Sequence, residues 1–178
     1  DALLIHRPDY LMQADEVAEA FMQLHKNGDV LAFGVSNFTH SQVSLLQSRL
    51  SLPLLTNQIE FSPYEMKALD DGSLEQCQML NIRPMCWSPL AGGRLFSDQD
   101  PKALRLQATL SEVAAEIGAS SIDQVVYAWL LAHPSTPSVV LGTGNINRVA
   151  SALLAQNLTL SREQWYRIWQ ASTGHSVP

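Results

Sequence analysis

Residues 31–37 read Leu-Ala-Phe-Gly-Val-Ser-Asn, an apolar run that ends in a hydroxyl and an amide. A short apolar run bounded by polar residues is typical of a buried strand, so we expect a strand here with Ser36 and Asn37 at its carboxyl end. Four other runs have the same form and predict four more strands: residues 2–5 before His6, 54–59 with Asn57 and Gln58, 83–86 before Trp87 and Ser88, and 138–141 before Gly142 and Thr143.

The spacing of these runs predicts helices between them. They begin near residues 2, 31, 54, 83 and 138, which leaves separations of 29, 23, 29 and 55 residues. In the first gap Val17, Phe21 and Leu24 share one helical face, and the longest gap has room for helices over 103–117 and 122–132. Strands that alternate with helices are typical of βαβ units with parallel strands, so the fold class is α/β.

Hydroxyl and amide residues three positions apart mark four helix starts. In a capping box both side chains bind free N–H groups of the first helical turn. The pairs that predict such boxes are Thr39 with Gln42, Ser73 with Gln76, Ser121 with Gln124, and Ser161 with Gln164.

This alternation indicates a (β/α)8 TIM-barrel type of fold, in which the loops after the strands build the active site. A complete barrel has eight strands and typically ~250 residues, whereas this chain has about five β/α units in 178 residues. A five-stranded open sheet leaves two unpaired edges, and a strand pattern begins directly after Asp1. We therefore expect residues 1–178 to form a single domain that is the C-terminal part of an incomplete barrel.

Composition excludes several classes of function. The chain has 46% hydrophobic residues but no apolar run near the ~20 residues that span a bilayer, so no membrane association is expected. Its 17 acidic and 11 basic residues give a net charge of -6, which disfavours nucleic acid as a partner. The two cysteines, Cys77 and Cys86, indicate neither a disulfide framework nor a zinc site, and they fit a reducing cytoplasm.

A candidate anion site follows the last predicted strand. Gly142-Thr143-Gly144 leads into a helix that Asn145 caps, and the free N–H groups of a helix start attract anions. Arg148, on the first turn, can clamp a phosphate with two hydrogen bonds. The alternative is an ordinary turn with a solvated arginine, since Gly-x-Gly alone is a weak dinucleotide fingerprint.

A second candidate segment follows the fourth strand. The ring of Trp87 can stack on a planar cofactor, and the loop Ala91-Gly92-Gly93 with Arg94 can hold a pyrophosphate through N–H groups and one cation. The alternative is a core tryptophan followed by a glycine-rich connection.

Amides and a histidine occupy the ends of the first three strands. Ser36-Asn37 and Asn57-Gln58 offer donors and acceptors that match a carboxamide, or they act as helix caps. His6 is suited to orienting or polarising a carbonyl, although a single histidine at a strand end is often structural.

Together these segments resemble the aldo-keto reductase family over residues 1 to about 155. The segment 4–8 is similar to the family's fourth strand with its catalytic histidine, here His6, and 34–38 to the fifth strand, whose Ser36 and Asn37 would contact the nicotinamide carboxamide. Gln58 would share that contact. The remaining cofactor contacts that the resemblance implies come from Trp87, Ser88, Leu90, Arg94, Gly142, Thr143 and Arg148.

The resemblance implies an enzyme that transfers a hydride from NADPH to a small-molecule aldehyde or ketone. The family's proton-donating tyrosine and its lysine and aspartate partners precede the histidine strand, so only His6 of the catalytic group is matched. We therefore predict that the 178-residue chain alone has no reductase activity. The family often has Glu and Asn where Ser151 and Ala152 stand, and lysine where Gly142 stands, so the NADP preference depends mainly on Arg148.

Two other functions are compatible with the sequence. One is a non-catalytic regulatory subunit of the same fold that binds a nicotinamide cofactor, and the other is a different barrel enzyme that binds a sugar phosphate. The substrate and the oligomeric state stay open, as does the role of Trp165 and Trp169 in the C-terminal segment.

Overall fold

The computed structural model describes residues 1–177. These residues form two compact units, one made of residues 1–59 with 67–85 and the other of residues 60–66 with 86 onward. Each unit contains parallel-type β/α alternation, and its strands are neighbours in chain order.

Three strands and three helices make up the first unit. The strands are β1 (Ala2–Ile5), β2 (Ala32–Ser36) and β3 (Asn57–Glu60, the last residue of which belongs to the second unit), and the helices are α1 (Ala14–Lys26), α2 (His40–Gln47) and α3 (Ser73–Met79). The pairing is parallel, with Ala2 opposite Ala32 and Val35 opposite Asn57. The three predicted strands are therefore confirmed within a few residues.

The core of the first unit lies between this sheet and its helices. Phe21 of α1 stacks on Phe33 of β2 with ring centroids 4.1 Å apart. Val35, Phe38 and Leu46 are buried beside them. Full burial of a side chain of this size contributes about 1.5–3 kcal/mol, so this cluster attaches α1 and α2 firmly to β2.

Gly34 lets β2 and β3 approach each other closely. A Cβ at this position would lie 2.9 Å from Thr56 Cγ2 and 3.0 Å from the Thr56 carbonyl oxygen. Backbone hydrogen bonds cross the same gap, from Leu55 N to Phe33 O and from Val35 N to Thr56 O. The absence of a side chain at residue 34 therefore fixes the spacing of the strand ends that carry Ser36 and Gln58.

We predict that Gly34→Ala lowers the free energy of unfolding by about 1–3 kcal/mol, because the added methyl overpacks a contact with backbone atoms. Denaturant unfolding checks this. Gly144→Ala is the control, since a Cβ there meets nothing within 4 Å. Equal stability of the two variants would contradict the role given to Gly34.

The second unit contains two strands and five helices. They are β4 (Met85–Trp87, the first residue of which belongs to the first unit), α4 (Arg94–Ser97), α5 (Pro101–Ile117), α6 (Ile122–Leu131), β5 (Ser138–Val139), α7 (Ile146–Leu154) and α8 (Arg162–Thr173). Val140 N donates to Cys86 O at 2.9 Å beside β5. The predicted helices over 103–117 and 122–132 are confirmed, and the first starts earlier because Asp100 caps it with Pro101 in the first turn.

A tryptophan pair attaches the last helix of this unit. Trp129 of α6 and Trp165 of α8 stack with ring centroids 4.6 Å apart. Each indole N–H donates to the backbone carbonyl of the other residue, at 3.1 Å in both directions. The C-terminal segment is thus a helix packed on α6, and Trp165 has a structural role.

Two of the four predicted capping boxes are confirmed and two are wrong. Thr39 with Gln42 and Ser161 with Gln164 form complete boxes. At α3 the N-cap is Gly72, and Gln76 donates instead to His40 O and Ser44 Oγ. At α6, Ser121 makes no cap bond. Gln76 and Gln124 are buried, and the Nε2 group of each donates to a neighbouring helix, while Gln124 Oε1 accepts from Ser120 N just before α6.

Over residues 1–177 the structure shows neither a disulfide bond nor a helix suited to crossing a membrane. Cys77 and Cys86 are buried and form no disulfide, and burial raises the pKa of the Cys77 thiol to about 11. Among residues 1–177 no helix combines the length and the apolar character that a membrane crossing requires.

Candidate functional site

Ser36, Asn37 and Gln58, which we call the Ser36 group, join the ends of β2 and β3. Ser36 Oγ donates to the Gln58 carbonyl at 2.9 Å, and Asn37 N donates to the same oxygen at 2.8 Å. Asn37 Nδ2 donates in turn to Ser36 Oγ at 3.1 Å. These bonds use the backbone oxygen of Gln58 and leave its side-chain amide out of the network.

Asn37 has an unusual backbone conformation that shapes this group. Its φ is +60°, in the left-handed region that asparagine tolerates better than most residues. Asn37 Nδ2 also lies 3.5 Å from the backbone oxygen of His6, at the end of β1, and the His6 side chain is exposed. The structure thus brings together four of the five residues that the sequence places at the ends of the first three strands. The fifth, Asn57, is buried and its Nδ2 donates to Phe38 O at 2.8 Å.

The second unit contains a cavity of about 880 Å³, which we call the α7 cavity. Cavities of ~300–1,000 Å³ are typical of small-molecule and cofactor sites. Its lining includes seven residues of the predicted segments: Ser88, Leu90, Gly92, Gly93, Gly142, Thr143 and Arg148. Ser151, noted above as a departure from the family, lines it too, as do Phe96, Asp123, Tyr127 and Asn147, which sequence reasoning missed.

The start of α7 is capped by its own side chains. Asn145 Oδ1 accepts from Asn147 N at 2.9 Å and from Arg148 N at 3.2 Å, and Asn145 N donates to Thr143 Oγ1. Two free N–H groups of this helix start are therefore already bound. The guanidinium of Arg148, which is exposed and lines the cavity, is the stronger group for an anion.

The segment after β4 is conformationally strained. Ser88 has φ +48° and Ala91 has φ +53°, and a non-glycine residue in this region costs about 1–2 kcal/mol. Strain of this kind is concentrated at ligand sites. Ser88 lines the α7 cavity, whereas Trp87 is half-buried and is absent from that lining as far as residues 1–177 show it.

Arg94 contacts a tyrosine rather than the cavity lining described above. Its Nε donates to Ala91 O at 3.2 Å, and its guanidinium carbon lies 4.7 Å from the centroid of the Tyr64 ring. Lys102 Nζ lies 5.2 Å from the same centroid. The Tyr64 hydroxyl donates to Asp100 Oδ2 at 2.8 Å and lies 3.2 Å from Asp98 Oδ2.

Tyr64, Arg94, Lys102, Asp98 and Asp100 form what we call the Tyr64 cluster, and its two carboxylates raise the pKa of the tyrosine. The hydrogen bond to Asp100 is the main cause that raises the pKa of Tyr64 to about 12. The same bond lowers the pKa of the Asp100 carboxyl, which also caps α5. The sequence pattern predicts the start of this helix at residue 103 and misses the cap, which the pair Asp100-Pro101 could have indicated. No local signal indicates that the Tyr64 ring contacts both Asp100 and Arg94.

The Tyr64 hydroxyl gives the stability of the protein a defined pH dependence. Because its folded pKa lies above the usual value of 10, its contribution is complete below pH 10 and is lost as the pH rises through about 12. At pH values well below 10, Tyr64→Phe should therefore unfold at a lower urea concentration than the natural protein. The difference between the two urea midpoints should shrink as the pH rises above 10. A difference that is independent of pH would be the contrary result.

A parallel β/α sheet with polar groups at its strand ends, together with a cavity of cofactor size, defines a ligand-binding protein of barrel type. The chain belongs to the aldo/keto reductase family, whose family model matches residues 1–173. The resemblance found in the sequence is thereby confirmed.

Individual relatives agree with this assignment. The chain is 54% identical over 178 residues to Oxidoreductase YdhF of Escherichia coli (strain K12), covering all of this chain and 59% of that protein. It is 41% identical over 177 residues to a 6-dehydroglucose reductase of Agrobacterium fabrum (strain C58), covering 99% of this chain and 58% of that protein. The chain thus spans about three fifths of the length of these relatives.

A solved structure confirms the predicted fold class. The thermostable aldo-keto reductase Tm1743, solved with the inhibitor epalrestat, superposes with a TM-score of 0.82 at 28% identity. The match covers 96% of this chain and 59% of that protein. The β/α units described above are therefore part of an aldo-keto reductase barrel fold.

Proposed function

We propose that the protein is an NADP-dependent oxidoreductase that reduces an aldehyde or ketone to an alcohol. The observation that carries the proposal is the α7 cavity, where the cation of Arg148 faces a space of about 880 Å³ beside Gly142 and Thr143. Membership of the aldo/keto reductase family supports the reaction type. The cytoplasm is the proposed location, because Cys77 and Cys86 form no disulfide and thiols stay reduced in that compartment.

The residues of the second unit fit the adenosine phosphate end of the cofactor. A Cβ at Gly142 or Gly144 would meet nothing within 4 Å, so the turn before α7 leaves open space for a phosphate. In the part of the chain that the structure describes, the Arg148 guanidinium has no carboxylate partner within 4 Å. It is therefore available for a bidentate bond to the 2′-phosphate.

The Ser36 group fits a nicotinamide carboxamide. Ser36 is buried and fixed by its bond to the Gln58 carbonyl, so the neighbouring amides have defined positions. The Gln58 side chain offers an acceptor oxygen and two donor hydrogens, which are the complements of a carboxamide. When bound, the nicotinamide ring supplies the hydride.

His6 is the proposed residue for the substrate carbonyl. Its side chain is exposed at the end of β1, and an imidazole N–H there can donate to a carbonyl oxygen and orient it. Trp87, Ser88, Leu90 and Arg94 remain proposed cofactor contacts on the strength of the family resemblance, and the Tyr64 ring now defines the position of Arg94.

The Tyr64 cluster is a poor candidate for the missing proton donor. It combines a tyrosine, a lysine and an aspartate, which are the residue types of the family's catalytic group. However, the carboxylates of Asp98 and Asp100 raise the pKa of Tyr64 to about 12, where a proton donor needs the opposite shift. The cluster therefore supports the expectation that the donor lies outside residues 1–178.

The proposal predicts different activities for the full-length natural protein and for residues 1–178 alone. The full-length protein should oxidise NADPH with a panel of aldehydes, which includes 6-dehydroglucose because a relative is named for its reduction. The isolated 178-residue chain should show no turnover. Turnover by the isolated chain would refute its predicted inactivity, and cofactor binding without any turnover by the full-length protein would favour the regulatory subunit.

Replacement of Arg148 tests the cofactor preference. In the full-length protein Arg148→Ala should weaken NADPH binding by about 10- to 100-fold, because a hydrogen-bonded charge pair is worth about 1.5–3 kcal/mol. NADH, which lacks the 2′-phosphate, should lose much less affinity. Fluorescence titration measures both, with Arg83→Ala as the control because Arg83 is exposed and outside the cavity lining. Equal losses for both cofactors would reject the assigned contact.

A further inference from the structure

The α7 cavity contains a carboxylate that the proposed function does not use. Asp123 lines the cavity together with Arg148, on the first turn of α6. We propose that Asp123 is a specificity-determining residue that accepts a hydrogen bond from a neutral donor of adenosine, either the adenine amine or a ribose hydroxyl. This inference rests on the proposed function, because it concerns the cofactor that Arg148 binds.

One buried glutamine determines where Asp123 lies. Gln124 Nε2 donates to the backbone oxygen and to Oγ of Ser151, at 3.0 Å in both cases. Ser151 is one helical turn after Arg148, so these bonds hold the start of α6 against the first turns of α7. Asp123 precedes Gln124 directly, so the same contact fixes the backbone from which Asp123 lines the cavity that Arg148 also lines.

Asp123 has no partner that neutralises it. Over residues 1–177 its carboxylate makes no hydrogen bond and no ion pair within 4 Å, and the Arg148 guanidinium makes none either. Two opposite charges thus face the same cavity without pairing with each other. A ligand that fills the cavity must offer an anion to Arg148 and a hydrogen-bond donor to Asp123, and the adenosine end of NADP has both.

Tyr127 lines the same cavity as the two charged residues. It lies one turn after Asp123 on the same face of α6, and it is buried where it lines the cavity. Its pKa is raised to about 12, mainly by burial and also by Asp123, whereas Arg148 acts to lower it. Both charged groups therefore act on the same phenol, which is consistent with their common position in the cavity.

Helix α7, which also lines the cavity, has no carboxylate that could replace that of Asp123. No acidic residue occurs in α7, and the Ser151 hydroxyl is occupied by Gln124. Ala152 is buried against Tyr127 and Ala155. Asp123 is thus the residue of this cavity lining that provides a charged acceptor, and the acceptor comes from α6 rather than α7.

The test compares the full-length natural protein with its Asp123→Asn variant. For each protein we would measure the dissociation constants of NADPH and of its deamino analogue, which carries hypoxanthine instead of adenine. We expect the variant to bind NADPH about tenfold more weakly, since a hydrogen bond to a charged acceptor is replaced by a neutral one. If the amine is the donor, the natural protein discriminates against the deamino analogue and the variant does not. If a ribose hydroxyl is the donor, the variant weakens both ligands equally.

Glu163→Gln is the matched control. Glu163 occupies the second position of α8, as Asp123 does in α6, so the substitution removes the same charge from the same helical position. It lies outside the cavity lining, and NADPH affinity should not change. If Asp123→Asn does not fold, Asp123→Glu keeps the charge but displaces it, and it should still weaken NADPH binding.

Two results would overturn the inference: an Asp123→Asn protein that binds NADPH within about twofold of the natural protein, or one that binds it more tightly. The second result would mean that Asp123 repels the 2′-phosphate. Failure of the natural protein to bind NADPH at all would instead reject the proposed function. Binding that depends on Arg148 and not on Asp123 would reject this inference alone.

Discussion

The close approach of β2 and β3 at Gly34 is the constraint on which the first unit depends. The missing side chain lets the two backbones pair up to their carboxyl ends, where the Gln58 carbonyl accepts from both Asn37 N and Ser36 Oγ. The aromatic stack of Phe21 on Phe33 fixes the other face of the same strand. Packing, register and the orientation of the polar group are therefore consequences of one strand contact.

Gln124 has the corresponding function in the second unit. A buried amide costs free energy unless its donors and acceptors are satisfied, and Gln124 satisfies them on Ser120 and on Ser151. These bonds hold the starts of α6 and α7 together, and so they bring Asp123 and Arg148 to one cavity. Gln124 does not form the capping box predicted with Ser121, and its bonds to Ser151 instead determine the geometry of the candidate site.

Local patterns explain most of what could be predicted from the sequence. Apolar runs identified all five strands, and Gly118, with φ +72°, ends α5 where the pattern placed the end. The errors fall on Gln76 and Gln124, and the omissions on Tyr64 and Asp123. For Gln76, Gln124 and Tyr64 a partner lies far away in the chain, and Asp123 is defined by the cavity that it lines, so no local spacing rule can identify these roles. The family resemblance supplied the reaction type, but Asp123 is not part of the motifs that carry it.

The distribution of charge explains why these distant contacts matter for the proposed cofactor. The chain has a net charge of -6, so its overall field repels a dinucleotide phosphate rather than attracting it. At physiological ionic strength that field is screened over ~8 Å, and attraction must come from groups close to the ligand. Of the two arginines proposed for this role, Arg94 lies over the Tyr64 ring and its Nε donates to Ala91 O. In the described residues the Arg148 guanidinium makes no comparable contact, so it should dominate the attraction, and the contacts that position α7 then control affinity.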